Sequence, residues 1–299
     1  MIPLEGEMQS GHPIRLAPGQ RVAVIAGSGR LPANVVEGLA AAGHDPFVVL
    51  IAGEADSDAS LRTHDHATLE IEAFGSLAPL FRKKGITHVV LAGGVGRRPR
   101  LWRMRPTPWL LSIMAKALYG LSRGDDGLLR TIVRVFEDEG FKIVGAHEIV
   151  PDLLSPEGLL TKAAPTAADR RDLDAAFTAA KTIGELDIGQ GAIAIGGRVV
   201  ALEGIEGTDG LLERTQAMRD HGRLAAAKRG ALVKCAKPGQ ELRADLPAIG
   251  PATVEGAHAA GLAGIGVEAG RSLMLDHAEL IARADELGLF VIGLPTDKS

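Results

Sequence analysis

The chain has 299 residues, enough for two ordinary domains, and its 46% of hydrophobic residues excludes an intrinsically disordered protein. A net charge of −4 argues against nucleic acid as a partner, and the single cysteine, Cys235, excludes an internal disulfide and fits a reducing cytoplasm. No apolar stretch reaches the roughly 18 residues of a membrane span, and no secretory leader is visible, so we expect a soluble, cytoplasmic protein.

The first half of the chain alternates short aliphatic runs with helical patterns. After a Pro- and Gly-rich extension at 1–20, the predicted strands lie at 21–26, 46–51, within 87–95 and in FKIVGAHEI, and the predicted helices at 33–42, in SLAPLFRKKG, at 108–121 and in DDGLLRTIVRVFEDEG. Strand, glycine turn and helix in succession are typical of right-handed βαβ units. We therefore predict an α/β fold with a Rossmann-like N-terminal domain at 21–150, whose sheet is mainly parallel.

The pattern changes after residue 150. Three prolines and no strand-like run predict a linker at 151–165. Beyond it we predict a helix at 167–181, a β-hairpin in AIAIGGRVVALEG, strands in ALVKCAK, AGIGVE and LFVIGL, and helices near 251–260 and 276–287. This order predicts a second α/β domain at 166–299.

Two glycine-rich turns, GSGRLP and AGGVGRRP, each follow a predicted strand. Because ligands of open α/β sheets bind at the carboxyl ends of strands, we expect one shared site that contacts a phosphate or a nucleotide. Its candidate contacts are Gly27, Ser28, Gly29, Gly93, Gly94 and Gly96. The dinucleotide fingerprint would need a third glycine where Pro32 stands, which disfavours a complete NAD site. Tight turns without a ligand are the alternative.

Three charged segments of the first domain are also candidates. The stretch at 97–109 sets five arginines beside two tryptophans, which favours an anionic-lipid or phosphate contact over a solvated face or nucleic acid. Asp125 and Asp126 begin a predicted helix, either as ordinary first-turn acids or as a ribose or metal contact. His147 follows a predicted strand without a second histidine at ligand spacing, so a substrate contact and simple packing are its two interpretations.

One stretch, EGIEGTDGLLERTQAMRDHG, gathers acidic residues at a turn before a predicted helix. Thr208 or Asp209 can cap that helix, which leaves Glu203 and Glu206 without a structural task. Mg²⁺ takes carboxylate oxygens and often bridges to a phosphate. A capped helix start and a metal or phosphate site are therefore the two interpretations.

A second polar group lies in VKCAKPGQELRADLPAIGP. Lys234 and Lys237 end a predicted strand, and Asp245 follows in the same segment. Lysines that neutralise phosphate, together with acids that hold a metal, are typical of phosphoryl transfer. From spacing alone the prediction stops at a metal and phosphate site.

Six strings occur in one order along the chain: IAGSGRLP, GDDGLLR, EGFKIVGAHEIVPDLL, LEGIEGTDGLLERT, KCAKPGQELRADLPAIGPATVE and LAGIGVEAG. The ordered set resembles the LpxI type of UDP-2,3-diacylglucosamine pyrophosphatase, an enzyme family of lipid A biosynthesis in Gram-negative bacteria. The likeness extends from about residue 21 to residue 295.

The resemblance implies hydrolysis of the pyrophosphate of UDP-2,3-diacylglucosamine to UMP and 2,3-diacylglucosamine 1-phosphate, or lipid X. It also implies a divalent cation, usually Mg²⁺, two domains with the substrate between them, and a homodimer. The aspartate that the family requires in its second domain is Asp209 or Asp245, and both positions remain open. The arginine-rich stretch could dock the enzyme at the cytoplasmic face of the inner membrane.

We expect the two parts of the chain to divide the work. In the second domain Asp209 or Asp245, with Glu206 or Glu203, would hold Mg²⁺, and Lys234 and Lys237 would steady the developing charge. The substrate contacts expected besides these are the two glycine turns, Asp125, Asp126, His147 and Thr208. A nucleotide-dependent oxidoreductase and a non-catalytic lipid or nucleotide carrier are the rival functions.

Overall fold

A computed structural model describes residues 16–55, 58–97, 124–224 and 230–296 of the chain. The predicted helix at 108–121 and all of the arginine-rich stretch except Arg97 lie outside these residues. The described residues form two compact units. The first takes residues up to Arg97 together with Glu139–Asp152, and the second takes Gly124–Asp138 and everything from Leu153 onward.

Thirteen strands and eight α-helices lie in the described residues. The strands are β1 (Val22–Ala26), β2 (Phe47–Ile51), β3 (His66–Leu69), β4 (His88–Ala92), β5 (Lys142–Ile143), β6 (Gly158–Leu159), β7 (Gly191–Ile195), β8 (Arg198–Leu202), β9 (Ala231–Lys234), β10 (Ala248–Ile249), β11 (Gly264–Glu268), β12 (Leu273–Met274) and β13 (Phe290–Leu294). The helices are α1 (Leu31–Ala41), α2 (Leu77–Lys83), α3 (Gly124–Asp138), α4 (Ala146–Ile149), α5 (Ala167–Glu185), α6 (Gly207–Asp220), α7 (Pro251–Ala259) and α8 (His277–Leu287). Short 3₁₀ helices cover Ala59–Thr63, Ile71–Ser76 and Pro151–Leu153.

The first unit contains a parallel sheet of five strands in the order β3-β2-β1-β4-β5. Every residue of β1 and β2 is buried, as their aliphatic runs predicted. The chain moves outward from β1 through β2 to β3 and then returns to the other side of β1 with β4. The predicted Rossmann-like, mainly parallel fold is confirmed, and the order reverses between β1 and β4.

One predicted element of this unit is partly wrong, and one strand was not predicted. FKIVGAHEI forms a strand only at Lys142–Ile143, and its second half is helix α4. The reason is local, because the Glu148 carboxylate accepts a hydrogen bond of 2.6 Å from the Gly145 N–H and so begins a helix. Strand β3 has no counterpart among the predicted strands. It is a half-exposed edge strand without the aliphatic run that identified the others.

The second unit contains a mixed sheet of six strands in the order β6-β13-β11-β9-β7-β8. The three central strands β13, β11 and β9 are parallel, and the predicted hairpin is formed by antiparallel β7 and β8. On one face the sheet packs against Leu211 of α6, Val254 of α7 and Leu280 of α8. On the other face it packs against α5 through residues such as Phe177. The unit therefore has helices on both faces of one sheet.

Two segments of the second unit differ from their sequence-based description. The predicted linker at 151–165 includes strand β6, which pairs antiparallel with β13, although its sequence contains no strand-like run. Helix α3, which lies within the predicted range 21–150, packs with the second unit, where Glu137 accepts a hydrogen bond of 2.7 Å from Arg243. Among the described helices, none is both long and apolar enough to cross a membrane.

Candidate active site

The two glycine-rich turns of the first unit meet at the carboxyl ends of β1 and β4. The Ser28 N–H donates to the Gly94 carbonyl at 2.7 Å, and the Gly94 N–H donates back to the Ser28 carbonyl at 3.1 Å. The Ser28 hydroxyl also donates to the Gly94 carbonyl, at 3.0 Å. The predicted neighbourhood of the two turns is therefore present, at the point where the strand order of the sheet reverses.

The same hydrogen bonds correct part of the prediction. The N–H groups of Gly27, Ser28 and Gly94, which the sequence suggested for a phosphate, donate instead to Ala92, Gly94 and Ser28. Gly29, with φ +88°, and Gly96 are exposed parts of the turns. Position 27 requires a glycine for a structural reason, because a Cβ there would overlap the Gly94 carbonyl.

We predict losses of stability of different size for alanine at Gly27 and at Gly96. Gly27→Ala should lower the free energy of unfolding by about 1–3 kcal/mol, because the Cβ must push two backbone segments apart. Gly96→Ala should change it by about 0.5 kcal/mol or less, since its Cβ would meet only Glu54 at an ordinary 3.9 Å. Urea unfolding of both variants measures the difference. Equal losses would contradict the close-approach argument.

The other candidates of this part of the chain are less informative about a ligand. Arg97 forms ion pairs of 3.1 Å with both Glu70 and Glu72, so the described residue of the arginine-rich stretch already has acidic partners. Asp125 and Asp126 lie in the first turn of α3, and their side chains are outside the described residues.

His147 lies on α4, and its buried Nδ1 has no hydrogen-bond partner within the described structure. Burial lowers the pKa of this imidazole.

The acid-rich turn of the second unit surrounds a buried carboxylate. Glu203 follows β8 and is only 7% exposed, and its Oε2 has no hydrogen-bond partner among the described residues. A Cβ at Gly189 would overlap the Glu203 carbonyl, and a Cβ at Gly191 would overlap its carboxylate. Small residues on the neighbouring strand segment therefore allow this side chain to turn inward.

The predicted helix cap at this turn is wrong. Helix α6 has Glu206 at its N-cap with helical backbone angles, and no side chain caps it. Glu206 instead pairs with Arg214 at 2.8 Å, two helical turns further on. Asp209 is exposed in the first turn, and the Thr208 hydroxyl interacts with the Glu203 carboxylate. Capping thus does not account for this group of acids.

Lys234, the last residue of β9, brings the candidates of the second unit together. The side chain is buried at 5% exposure, and its Nζ donates to the Ala248 carbonyl at 3.0 Å. Burial lowers the pKa of this ammonium, and the carboxylates of Glu203, Asp245 and Asp209 raise it. One buried lysine therefore interacts electrostatically with three of the four predicted metal ligands.

The loop after β9 holds Asp245 in a defined orientation. The Gln240 side-chain amide donates to Asp245 Oδ2 at 2.5 Å. Lys237, predicted beside Lys234 as a phosphate partner, forms an ion pair of 2.8 Å with Asp187. The two lysines consequently differ, because Lys234 is buried and interacts electrostatically with the acids, whereas Lys237 attaches the loop to the residues after α5. Sequence spacing did not point to Gln240 or Asp187, which are ordinary polar residues in loop segments.

Burial raises the pKa of the Glu203 carboxyl; Lys234 lowers it, and Glu206 raises it further. The fold thus favours the protonated form, whose stabilisation is complete below the ordinary pKa and is lost as pH rises through the raised value. As pH rises above the ordinary pKa of a glutamate carboxyl, about 4.3, we therefore expect the free energy of unfolding of Glu203→Gln to increase relative to that of the parent chain.

Urea unfolding at several pH values tests this expectation. Glu213→Gln, the same change on the exposed face of α6, is the control and should show no such trend. A difference between Glu203→Gln and the parent that stays constant with pH would show that Glu203 titrates as in the unfolded chain.

No group of three or more His, Cys, Asp or Glu side chains in the described part of the chain is arranged to hold a metal ion. The predicted ligands Glu203, Glu206, Asp209 and Asp245 thus do not form a cluster of protein ligands alone. Mg²⁺ typically keeps several waters and is held by one or two carboxylates plus phosphate oxygens of a substrate.

Two family models cover almost the whole chain. The LpxI N-terminal domain matches residues 21–153, and the LpxI C-terminal domain matches residues 156–292. The chain belongs to the LpxI family. A curated relative, the UDP-2,3-diacylglucosamine pyrophosphatase LpxI of Caulobacter vibrioides (strain ATCC 19089 / CIP 103742 / CB 15), is 41% identical over 276 residues, which cover 92% of this chain and 98% of the relative.

Solved structures give weaker likenesses. An isoflavone reductase is 10% identical with a TM-score of 0.27, over 93% of this chain and 78% of the other. A UDP-glucose 4-epimerase from Stenotrophomonas maltophila is 12% identical with a TM-score of 0.30, over 92% and 77%. Likenesses this low carry no argument for this LpxI chain.

Proposed function

We propose that the chain hydrolyses the pyrophosphate bond of UDP-2,3-diacylglucosamine to UMP and 2,3-diacylglucosamine 1-phosphate, lipid X, in lipid A biosynthesis. The chain is a hydrolase of the LpxI family, and the relative named for this substrate matches along nearly its whole length. The observation that carries the proposal is the buried Lys234, which interacts electrostatically with Glu203, Asp209 and Asp245. A buried lysine that interacts with several acidic side chains suits phosphoryl transfer to water.

Each side chain of this group would have a distinct task. Lys234, held by the Ala248 carbonyl, would neutralise charge that develops on the phosphate oxygens. Asp245, held by Gln240, would orient a water or a cation in a fixed direction. Asp209 and Thr208, in the first turn of α6, would meet the phosphates beside N–H groups that no side chain caps.

The charge balance supports a divalent cation. Lys234 interacts with the acidic side chains of Glu203, Asp245 and Asp209, so this region holds more acidic than basic groups, and a pyrophosphate would add negative charge. Asp209 or Asp245, with Glu206 or Glu203, would hold Mg²⁺ there. Once bound, the cation would neutralise the pyrophosphate and favour the in-line attack of water.

The first unit would bind the nucleotide or the sugar phosphate. Its exposed glycines at the ends of β1 and β4, chiefly Gly29, Gly93 and Gly96, support this role because a ligand can approach their backbone closely. Asp125, Asp126 and His147 stay predicted substrate contacts. We also propose a homodimer in the cytoplasm that meets the inner membrane at its surface, in keeping with a diacylated substrate.

The decisive experiment is turnover of UDP-2,3-diacylglucosamine by the purified full-length chain, first with Mg²⁺ and then with EDTA. UMP and lipid X that form only with Mg²⁺ would support the reaction and its metal dependence. Equal turnover in EDTA would remove the cation from the proposal and leave the hydrolysis. Tight lipid binding without turnover under any divalent cation would favour a carrier, and a reducible bound nicotinamide would favour an oxidoreductase.

An exposed isoleucine beside the acids supports an acyl contact. Ile205 lies between Glu203 and Glu206 in the chain and is 99% exposed, more than the other exposed large apolar side chains of the described residues. We expect Ile205→Ser to raise KM for the diacylated substrate about tenfold, the effect of losing about 1.4 kcal/mol of apolar contact. Steady-state kinetics with the natural substrate, and with an analogue that carries two acetyl groups, measures this effect.

The control is Leu159→Ser on the edge strand β6, which is 45% exposed and should leave both KM values unchanged. An Ile205→Ser variant with equal KM changes for both substrates would contradict an acyl contact. An unchanged KM for both would leave Ile205 outside the substrate site.

A further inference from the structure

Gln240 uses both ends of its side-chain amide within one loop. Its Oε1 accepts a hydrogen bond of 3.0 Å from the Lys237 N–H, and its Nε2 donates to Asp245 Oδ2 at 2.5 Å. The residue is only 7% exposed. A buried amide that is engaged at both ends has a fixed rotamer, because any rotation would leave a polar atom without a partner.

The backbone on which Gln240 rests is itself fixed. Glu268, at the end of β11, is fully buried; its Oε2 accepts from the Ala236 N–H at 2.9 Å, and its Oε1 accepts from Lys181 of α5 at 2.6 Å. One residue further on, Lys237 is tied to Asp187 by an ion pair of 2.8 Å. The start of the loop is thus attached to β11, to α5 and to the residues after α5 before it reaches Gln240.

The end of the Gln240 side chain that contacts Asp245 must be a hydrogen-bond donor. A carboxylate such as Asp245 accepts hydrogen bonds, and an amide N–H supplies one without adding charge. Glutamate in place of Gln240 would set a second carboxylate against Asp245. The hydrogen bond to Oδ2 also limits the rotation of the Asp245 side chain, which interacts electrostatically with Lys234 of β9.

We propose that Gln240 is the positioning residue of the active site, which sets the direction of the Asp245 carboxylate toward the pyrophosphate. This inference rests on the proposed function and assigns a task to a residue that does not itself touch the reacting atoms. Glu268 and Lys181 would support Gln240 by holding the backbone of the loop.

Three variants of the full-length chain test the proposal. Gln240→Ala should lower kcat about 10–100-fold with little change in KM, as is typical when the partner of an active-site ligand is removed. Gln240→Glu, of nearly the same shape, should move the acidic limb of the pH–rate profile to higher pH, because the introduced carboxyl group and Asp245 would share a proton. Gln216→Glu, on the exposed face of α6, makes the same change away from the site and should leave rate and profile unaltered.

A double-mutant cycle separates positioning from general damage. In an Asp245→Asn background, Gln240→Ala should cause little further loss of kcat, because the carboxylate that it orients is gone. Equal losses in both backgrounds, or a Gln240→Glu profile identical to that of the parent, would overturn the proposal. If Gln240→Ala does not fold, the nearly isosteric Gln240→Glu still decides through its pH profile. Absence of turnover in the parent chain would instead refute the proposed function.

Discussion

Asp245→Asn is expected to lower kcat for pyrophosphate cleavage about 10²–10³-fold, while Asp209→Asn should cost about tenfold. Sequence spacing left these two aspartates equivalent, but their surroundings differ. Asp245 is half-buried and is held by Gln240 at 2.5 Å, whereas Asp209 is exposed in the first turn of α6. A carboxylate held in one direction by a buried partner is better organised for a transition state than one that moves in solvent.

The measurement is UMP release under saturating substrate, with Mg²⁺ at several concentrations. Asp220→Asn, at the exposed end of α6, is the matched control and should retain the rate of the parent chain. If Asp209→Asn proves the more damaging change, Asp209 takes the central role and the inference about Gln240 fails with it. Full activity in a variant with both aspartates replaced by alanine would remove the proposed mechanism altogether.

Lys234→Met is expected to lower kcat about 10²-fold, with a much smaller effect from Lys237→Met. Lys234 is buried and interacts with three carboxylates, so its loss leaves these acids to repel the pyrophosphate. Lys237 already pairs with Asp187, so its loss should mainly loosen the loop. Methionine has a similar length and no charge to bury, which should keep the strand β9 in place.

Single-turnover kinetics distinguish the chemical step from substrate binding, and urea unfolding verifies that both variants are folded. A loss that appears only in KM would assign Lys234 to substrate binding and would contradict its role in the transition state. Equal rate losses at Lys234 and Lys237 would show that the two lysines act as one phosphate-binding pair, as their spacing alone suggested.

Local patterns predicted most of the regular elements. Continuous aliphatic runs such as VAVIA at Val22–Ala26 identify buried strands, and Gly85, with φ +66°, lies just past the end of α2, where glycine is typical. Strands β3 and β6 were not predicted because their residues carry no aliphatic run. They form through pairing with β2 and β13, so the information lies in distant partners.

In the candidate site, too, local sequence patterns predicted some features and only the tertiary structure decided others. The sequence by itself determined the two-part α/β architecture and the polar residues at the ends of strands, because periodicity and turn chemistry act over a few residues. Only the tertiary structure decided that Lys234 is buried and interacts electrostatically with Glu203, Asp209 and Asp245, that Lys237 pairs with Asp187, and that Gln240 donates a hydrogen bond to Asp245. The relations of Lys234 with Glu203 and of Lys237 with Asp187 join segments that are far apart in the chain and that only burial and pairing bring together. Gln240 and Asp245 lie in the same loop, but their contact depends on the path of that loop, which no local sequence pattern indicates.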